Sequence, residues 1–249
     1  PRGWDIRAIL RTGMLAPLRA AGIRPVLLTP KANEPAFQKE FADFDMEFYE
    51  RHIPAGFEGT YRRTVNVLFS QKFPDHSLDF MARHFTDVEI AGHPMKRAYY
   101  ATLRGAGRAL PPLYGAIKKA ERFIRADRRW GGLFKKWNPD AVITTPLFDW
   151  SDVPILKWAH KLRVPSASIV ASWDNVSTKG AIAVRPDALT VWNEDMRHEA
   201  VATHGYRPER VAVTGVPPFT HWATGARMPR AEFLAKYGLD PAKKVIMYM

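Results

Sequence analysis

Apolar residues recur at helical intervals near the start of the chain. Ile6, Ile9, Leu10, Met14, Leu15 and Leu18 share one face, and Gly22 supplies a stop. The β-rich run Pro25-Val-Leu-Leu-Thr29 follows and is ended by Pro30, so the pattern predicts a helix feeding a buried strand. Residues 29–50 are rich in turn formers, then acidic and aromatic in FADFDMEFYE, which reads as a weak strand or a short helix. Over 60–85 the periodicity is mixed, with Val65, Val67, Leu68, Phe69, Phe73, Leu78, Phe80 and Met81, and predicts helices without setting their limits. From Leu113 to Trp130 the stripe Ile117, Ala120, Phe123, Ile124 and Trp130 predicts an amphipathic helix ended by Gly131-Gly132.

Beyond Asn138-Pro139-Asp140 strands and helices alternate. Strands are predicted at 141–145, 166–170, 188–191 and 210–215, with helices at 153–162 and 194–203. Strands separated by helices of about ten residues imply crossovers and a largely parallel sheet. The expected fold class is therefore α/β, a Rossmann-like sheet with flanking helices. Gly215-Val-Pro-Pro218 interrupts the alternation, because consecutive prolines cannot continue a central strand. The expected division is a Rossmann-like domain over 1–222 whose first strand is missing, a linker with a short helix over 223–243, and the opening strand of a second domain over 244–249.

With 249 residues, 46% hydrophobic and 25% charged, the chain has the composition of a globular protein that buries about 70% of its unfolded surface. The absence of cysteine excludes a disulfide framework, a thiol nucleophile and a thiolate metal cluster. No run of about eighteen apolar residues occurs, and the opening PRGWDIRAILRTG is charged where a signal peptide is apolar. The expectation is a cytoplasmic protein, with the inner face of the membrane as a further location. The net charge of +12 is concentrated between Lys96 and Lys136, where twelve Lys or Arg stand against two Asp or Glu. Such a surface fits phospholipid headgroups, a phosphorylated small molecule or nucleic acid, or is simply a solvated face.

The segment richest in chemistry is Ile169-Val-Ala-Ser-Trp-Asp-Asn-Val-Ser-Thr-Lys-Gly180, which follows a predicted strand. In open α/β sheets ligands bind at the carboxyl ends of strands. Trp173 offers a flat apolar surface, Asp174 a charge or proton acceptor, and Asn175 both donor and acceptor capacity, while Ser177, Thr178 and Lys179 suit phosphate or hydroxyl groups. A solvated turn in which Asp174 or Asn175 caps the next helix explains the same residues. Asp149-Trp150-Ser151-Asp152 follows the preceding strand, with Asp152, or else Ser151, the expected helix cap and Asp149 a second candidate base. Asn193 is the expected cap of the next helix and Trp192 a core residue. His198, His204 and His221 are expected at the rim or surface, and neither zinc-protease spacing nor a Walker-type loop is present.

These segments, ASWDNVSTKG, DALTVWNEDMRHEAVATHGY and RVAVTGVPPF followed by a polar linker and AEFLAKYGLDPAKKVIMYM, resemble the amino-terminal domain of GT-B glycosyltransferases, in particular bacterial transferases of surface-polysaccharide biosynthesis and related glycerophosphotransferases. The resemblance covers 139–249 well and the earlier part weakly. It implies a metal-independent transfer from a nucleotide-activated sugar or CDP-glycerol, bound by a second domain, to a glycan or lipid-linked acceptor bound by this one. No cofactor and no metal site are implied, and this part alone is expected to be inactive. Asp174 becomes the expected base, Asp149 the second choice, and Asn175 and Lys179 positioning groups. Lys118, Lys119, Arg122, Arg125, Arg128 and Arg129 would meet anionic headgroups, with Phe123 and Trp130 anchoring the interface; an ordinary domain helix packed by the same stripe is the equal alternative. The rival readings are a UDP-N-acetylglucosamine 2-epimerase-like enzyme of similar fold, a nucleic-acid-binding module, which the lack of a recognisable nucleic-acid fold disfavours, and a noncatalytic scaffold.

Overall fold

The computed structural model describes residues 6–73, 76–84, 87–88, 90–124, 126–145, 147–219 and 228–246. A π-helical turn, Ile6–Leu10, precedes a short helix α1 (Ala16–Ala20). The one continuous helix expected here is broken because Gly13 adopts a left-handed φ of +72° and Pro17 opens the next turn. Strand β1 (Val26–Leu28) pairs in parallel with β2 (Asp45–Glu47) across the crossover helix α2 (Pro35–Glu40). Phe37 of α2 and Phe41 just beyond its end pack with Ile6 beneath this two-stranded ladder.

The helical middle is organised by α3 (Gly56–Lys72), which buries Tyr61, Thr64, Val65, Leu68 and Phe69 at spacings of three and four. Around it lie α4 (His76–His84), α5 (Pro94–Ala109) and α6 (Pro112–Lys118), the last continued by a 3-10 turn, Lys119–Phe123. Ile117, Ala120 and Ile124 pack on the Tyr61, Val65 and Phe69 core, as their stripe requires. The single helix expected over 113–130 does not form. The chain turns extended at Ile124, and α7 (Arg128–Trp137) starts anew, capped by Asp127, whose carboxylate accepts the Arg129 amide at 2.8 Å. Gly131-Gly132 lies inside α7 instead of ending it. A Cβ on Gly131 would stand 2.6 Å from the Trp158 indole, so glycine here serves close helix approach. Asn138, left-handed at φ +40°, ends the helix.

The second half forms β3 (Val142–Thr144), β4 (Ser166–Ile169), β5 (Ala188–Val191) and β6 (Val211–Val213), parallel throughout and in the order β3-β4-β5-β6. Helix α8 (Asp152–Leu162) connects β3 to β4, the short α9 (Asn175–Thr178) lies between β4 and β5, and α10 (Glu194–His204) connects β5 to β6. In this order right-handed crossovers all return over the same side of the sheet. That side holds the core: Leu189, Val191 and Val211 under Met196 and Ala200 of α10, and Val142 under Ala159 of α8 and Phe134 of α7. The other face carries Ile143, Ala167, Ile169 and Thr190 and is only partly covered, with Ile143 55% exposed. The architecture is thus α/β, with parallel ladders flanked by helices.

After β6 a 3-10 turn, Pro217–Phe219, is followed in the described residues by α11 (Arg230–Lys236). Residues 244–246 form no strand, and 247–249 lie outside the described residues, as do His221 and residues 223–227 of the expected linker.

Candidate functional site at the carboxyl rim of the sheet

The loops leaving β3 and β4 meet at the carboxyl end of the sheet, bringing together the Asp149 and Asp174 segments. Leu147, Phe148, Asp149 and Trp150 face Lys179 and Ala181 across a pocket of about 20 Å³, room for a water molecule and not for a sugar. Asp149 is pinned inside the rim. Its Oδ1 accepts the Ser151 amide at 2.9 Å, and its Oδ2 lies 3.3 Å from the Arg51 guanidinium. It does the work expected of Asp152, turning the chain into α8. Ser151 occupies the cap position without a side-chain cap bond, its hydroxyl instead accepting the His52 amide at 3.2 Å.

Asp174 stands at the cap of α9, with Lys179 Nζ at 3.3 Å and Thr178 Oγ1 at 3.1 Å from its Oδ2. Burial would raise its pKa, but hydrogen bonds from Ser172, Lys179 and Thr178 outweigh that and hold it below the usual carboxylate range. Ser177 and Thr178 are spent locally, both hydroxyls donating to the Asp174 carbonyl. Asn175 is buried at the first turn, whereas Trp173 is 68% exposed. Asp174 thus holds the cap position without a side-chain cap bond, and the segment presents a carboxylate–ammonium pair beside an exposed indole.

Three residues that no local motif distinguishes shape this loop. Asn66 of α3 accepts the Ala181 amide at 3.0 Å, and Gly180, at φ +84°, passes so close that a Cβ would stand 2.8 Å from the same Asn66 oxygen. His204, expected at the rim or surface, is a half-buried strut behind the rim loop. It stacks on Phe69 at 5.4 Å, meets Phe148 edge-on, and donates through Nε2 to the Val176 carbonyl at 2.7 Å. Burial lowers its pKa to about 4, so the ring is neutral at pH 7. His198 is exposed, and Asn193 caps α10 as expected, accepting the Met196 amide at 3.0 Å. Trp192 packs against the core and donates to the Val170 carbonyl.

Lys118 is the third such residue, and it overturns part of the expected basic face. Its ammonium is inside the protein, donating to the carbonyls of Ile182 and Ala183, and burial lowers its pKa to about 8. Trp130 is likewise buried, packed against Tyr49, because the break at Ile124 carries it onto a different helix from Phe123. Lys119, Arg122 and Arg128 are exposed, and Arg129 is exposed but paired with Asp127 and Glu50. Arg125 lies outside the described residues. Phe123 remains 71% exposed under the Arg122 guanidinium. No helix among the described residues is long and apolar enough to cross a membrane. Searches of protein-family models, curated proteins and solved structures return no match to this chain.

Proposed function

We propose that this chain is the acceptor-side part of a transferase that moves a sugar, or a glycerophosphate, from a nucleotide-activated donor to a glycan or lipid-linked acceptor. One observation carries the reading: Asp174, paired with Lys179 beside the exposed Trp173, lies with Asp149 at the carboxyl rim of a parallel sheet, where such folds bind ligands. In sugar transfer the acceptor oxygen bonds to the anomeric carbon while the bond to the departing nucleotide phosphate breaks with its electron pair. The hydroxyl proton passes to Asp174. A carboxylate held at low pKa is a weak base, so the proton moves late, once bond formation has acidified the hydroxyl. Trp173 gives the acceptor an apolar platform, and the donor binds to a second domain in the architecture that the sequence resembles. The exposed Lys119 and Arg122, with Lys96 and Arg97 of α5, favour an anionic membrane face as the place of action.

The test is label transfer from a panel of nucleotide sugars and CDP-glycerol into a membrane extract by the full-length protein. Transfer that falls about 100-fold or more in Asp174→Asn, with thermal unfolding unchanged, supports the reading. Epimerised donor without transfer would move the assignment to the 2-epimerase-like class, and untouched donor would sink both.

A further inference from the structure

A much larger cavity, of about 380 Å³, adjoins the rim pocket at Val153, and its polar side is formed by His52, Glu58, Asp127, Arg128 and Lys157. Ile124 and Val153 close its apolar side. This volume is that of a small-molecule site.

The carboxylates around it are all satisfied by cations. Glu58 accepts from Arg62 at 2.9 Å through Oε1 and meets His52 Nε2 at 3.0 Å through Oε2. Glu121, behind the wall, is shared between Arg62 and the Lys157 ammonium, the latter at 2.6 Å. Asp127 holds the Arg129 amide and guanidinium, at 2.8 and 2.7 Å. Arg62, Lys157 and Arg129 are thus taken up by carboxylates, Arg129 by Glu50 as well as Asp127, and Arg128 has no carboxylate partner among the described residues. Arg128 lines the cavity where α7 begins, at the positive end of that ten-residue helix. Because Nε2 of His52 is committed to Glu58, Nδ1 is the ring atom left for a ligand.

We propose that this cavity binds a small phosphate monoester, with Arg128 forking onto the phosphate oxygens, His52 Nδ1 meeting the ester's polar part, and Ile124 and Val153 taking its carbon skeleton. A planar guanidinium with no carboxylate partner among the described residues matches the bidentate geometry of phosphate. The site is separate from the Asp174 rim, and binding is measured without turnover, so this proposal stands or falls independently of the transferase reading.

A soluble ester and a lipid headgroup offer the same phosphate chemistry, and the experiment takes both. Glycerol 3-phosphate is titrated into the full chain by calorimetry, and vesicles of phosphatidylcholine with and without phosphatidic acid are tested by co-sedimentation. Saturable binding of glycerol 3-phosphate identifies a soluble ligand, and binding confined to phosphatidic acid identifies the headgroup. In either case Arg128→Ala weakens binding tenfold or more, while Arg129→Ala, which removes an equal charge already paired with Asp127, changes it less than about threefold. Absence of saturable binding in both arms, or equal losses in the two variants, overturns the proposal.

Discussion

The His204 imidazole, enclosed behind the rim loop, contributes to how the molecule responds to acid. His204 in the folded protein stays neutral down to about pH 4, whereas a histidine of the unfolded chain takes up a proton near 6.5. Between those values the unfolded state binds more protons, so stability falls as the pH falls through this window. From pH 7 to pH 5 the expected loss is roughly 2 kcal/mol. In His204→Gln that component is absent, and urea unfolding at pH 7, 6 and 5 should show a correspondingly shallower decline. Parallel pH curves for the two proteins would refute the assignment. The role of His204 could not be read locally. Asp174, Asn175 and Lys179 declare themselves by sitting together after a strand, but His204, Lys118 and Asn66 act on carbonyls and amides 28, 64 and 115 residues away in the chain. A histidine at the end of an amphipathic helix carries no local sign of which loop it will support.

At the level of elements, the two adjacent glycines of α7 make opposite predictions. Alanine normally stabilises a helix interior over glycine by about 0.5–1 kcal/mol. Gly132 has open space around it, so Gly132→Ala should gain that amount. At Gly131 the new methyl meets the Trp158 ring, itself held by a hydrogen bond to the Asp127 carbonyl, and Gly131→Ala should cost about 1–3 kcal/mol. Chemical denaturation of both variants decides it, and a gain at both sites would mean that α7 and α8 are less closely packed. The βα units after Asn138 were legible because each is local: an apolar run, a capped helix, another apolar run. The stretch 113–130 departs from its expected single helix because its apolar residues keep a helical period across a break that only Asp127 marks. Asp127 looks like one more surface charge until its carboxylate is seen on the Arg129 amide.

For the molecule as a whole, one face of the four-stranded sheet is only half covered. Parallel sheets ordinarily bury both faces, yet Ile143 is 55% exposed while its neighbour Val142 is 6% exposed. Ile143→Thr should therefore alter unfolding free energy by less than about 0.5 kcal/mol, whereas Val142→Thr, which buries a hydroxyl in the Phe134 and Ala159 core, should cost about 1–3 kcal/mol. The Ile143 variant should also self-associate at higher concentration than the parent by light scattering, since a flat apolar strand face is a sticky surface. Equal destabilisation by the two changes would show that this face is covered after all. Fold class was readable from alternation alone, but face coverage was not, because it depends on strand order, which hydrophobic periodicity does not encode.

That strand order also bears on how the sheet assembles. Val142 faces Ser166, Ala167 faces Ala188 and Leu189 faces Val211, so each strand finds its partner little more than twenty residues back along the chain. No strand has to wait for a distant segment, and the entropy of each ring closure stays small. A chain emerging from the ribosome can extend this sheet one unit at a time, with each new strand docking on an edge that already exists.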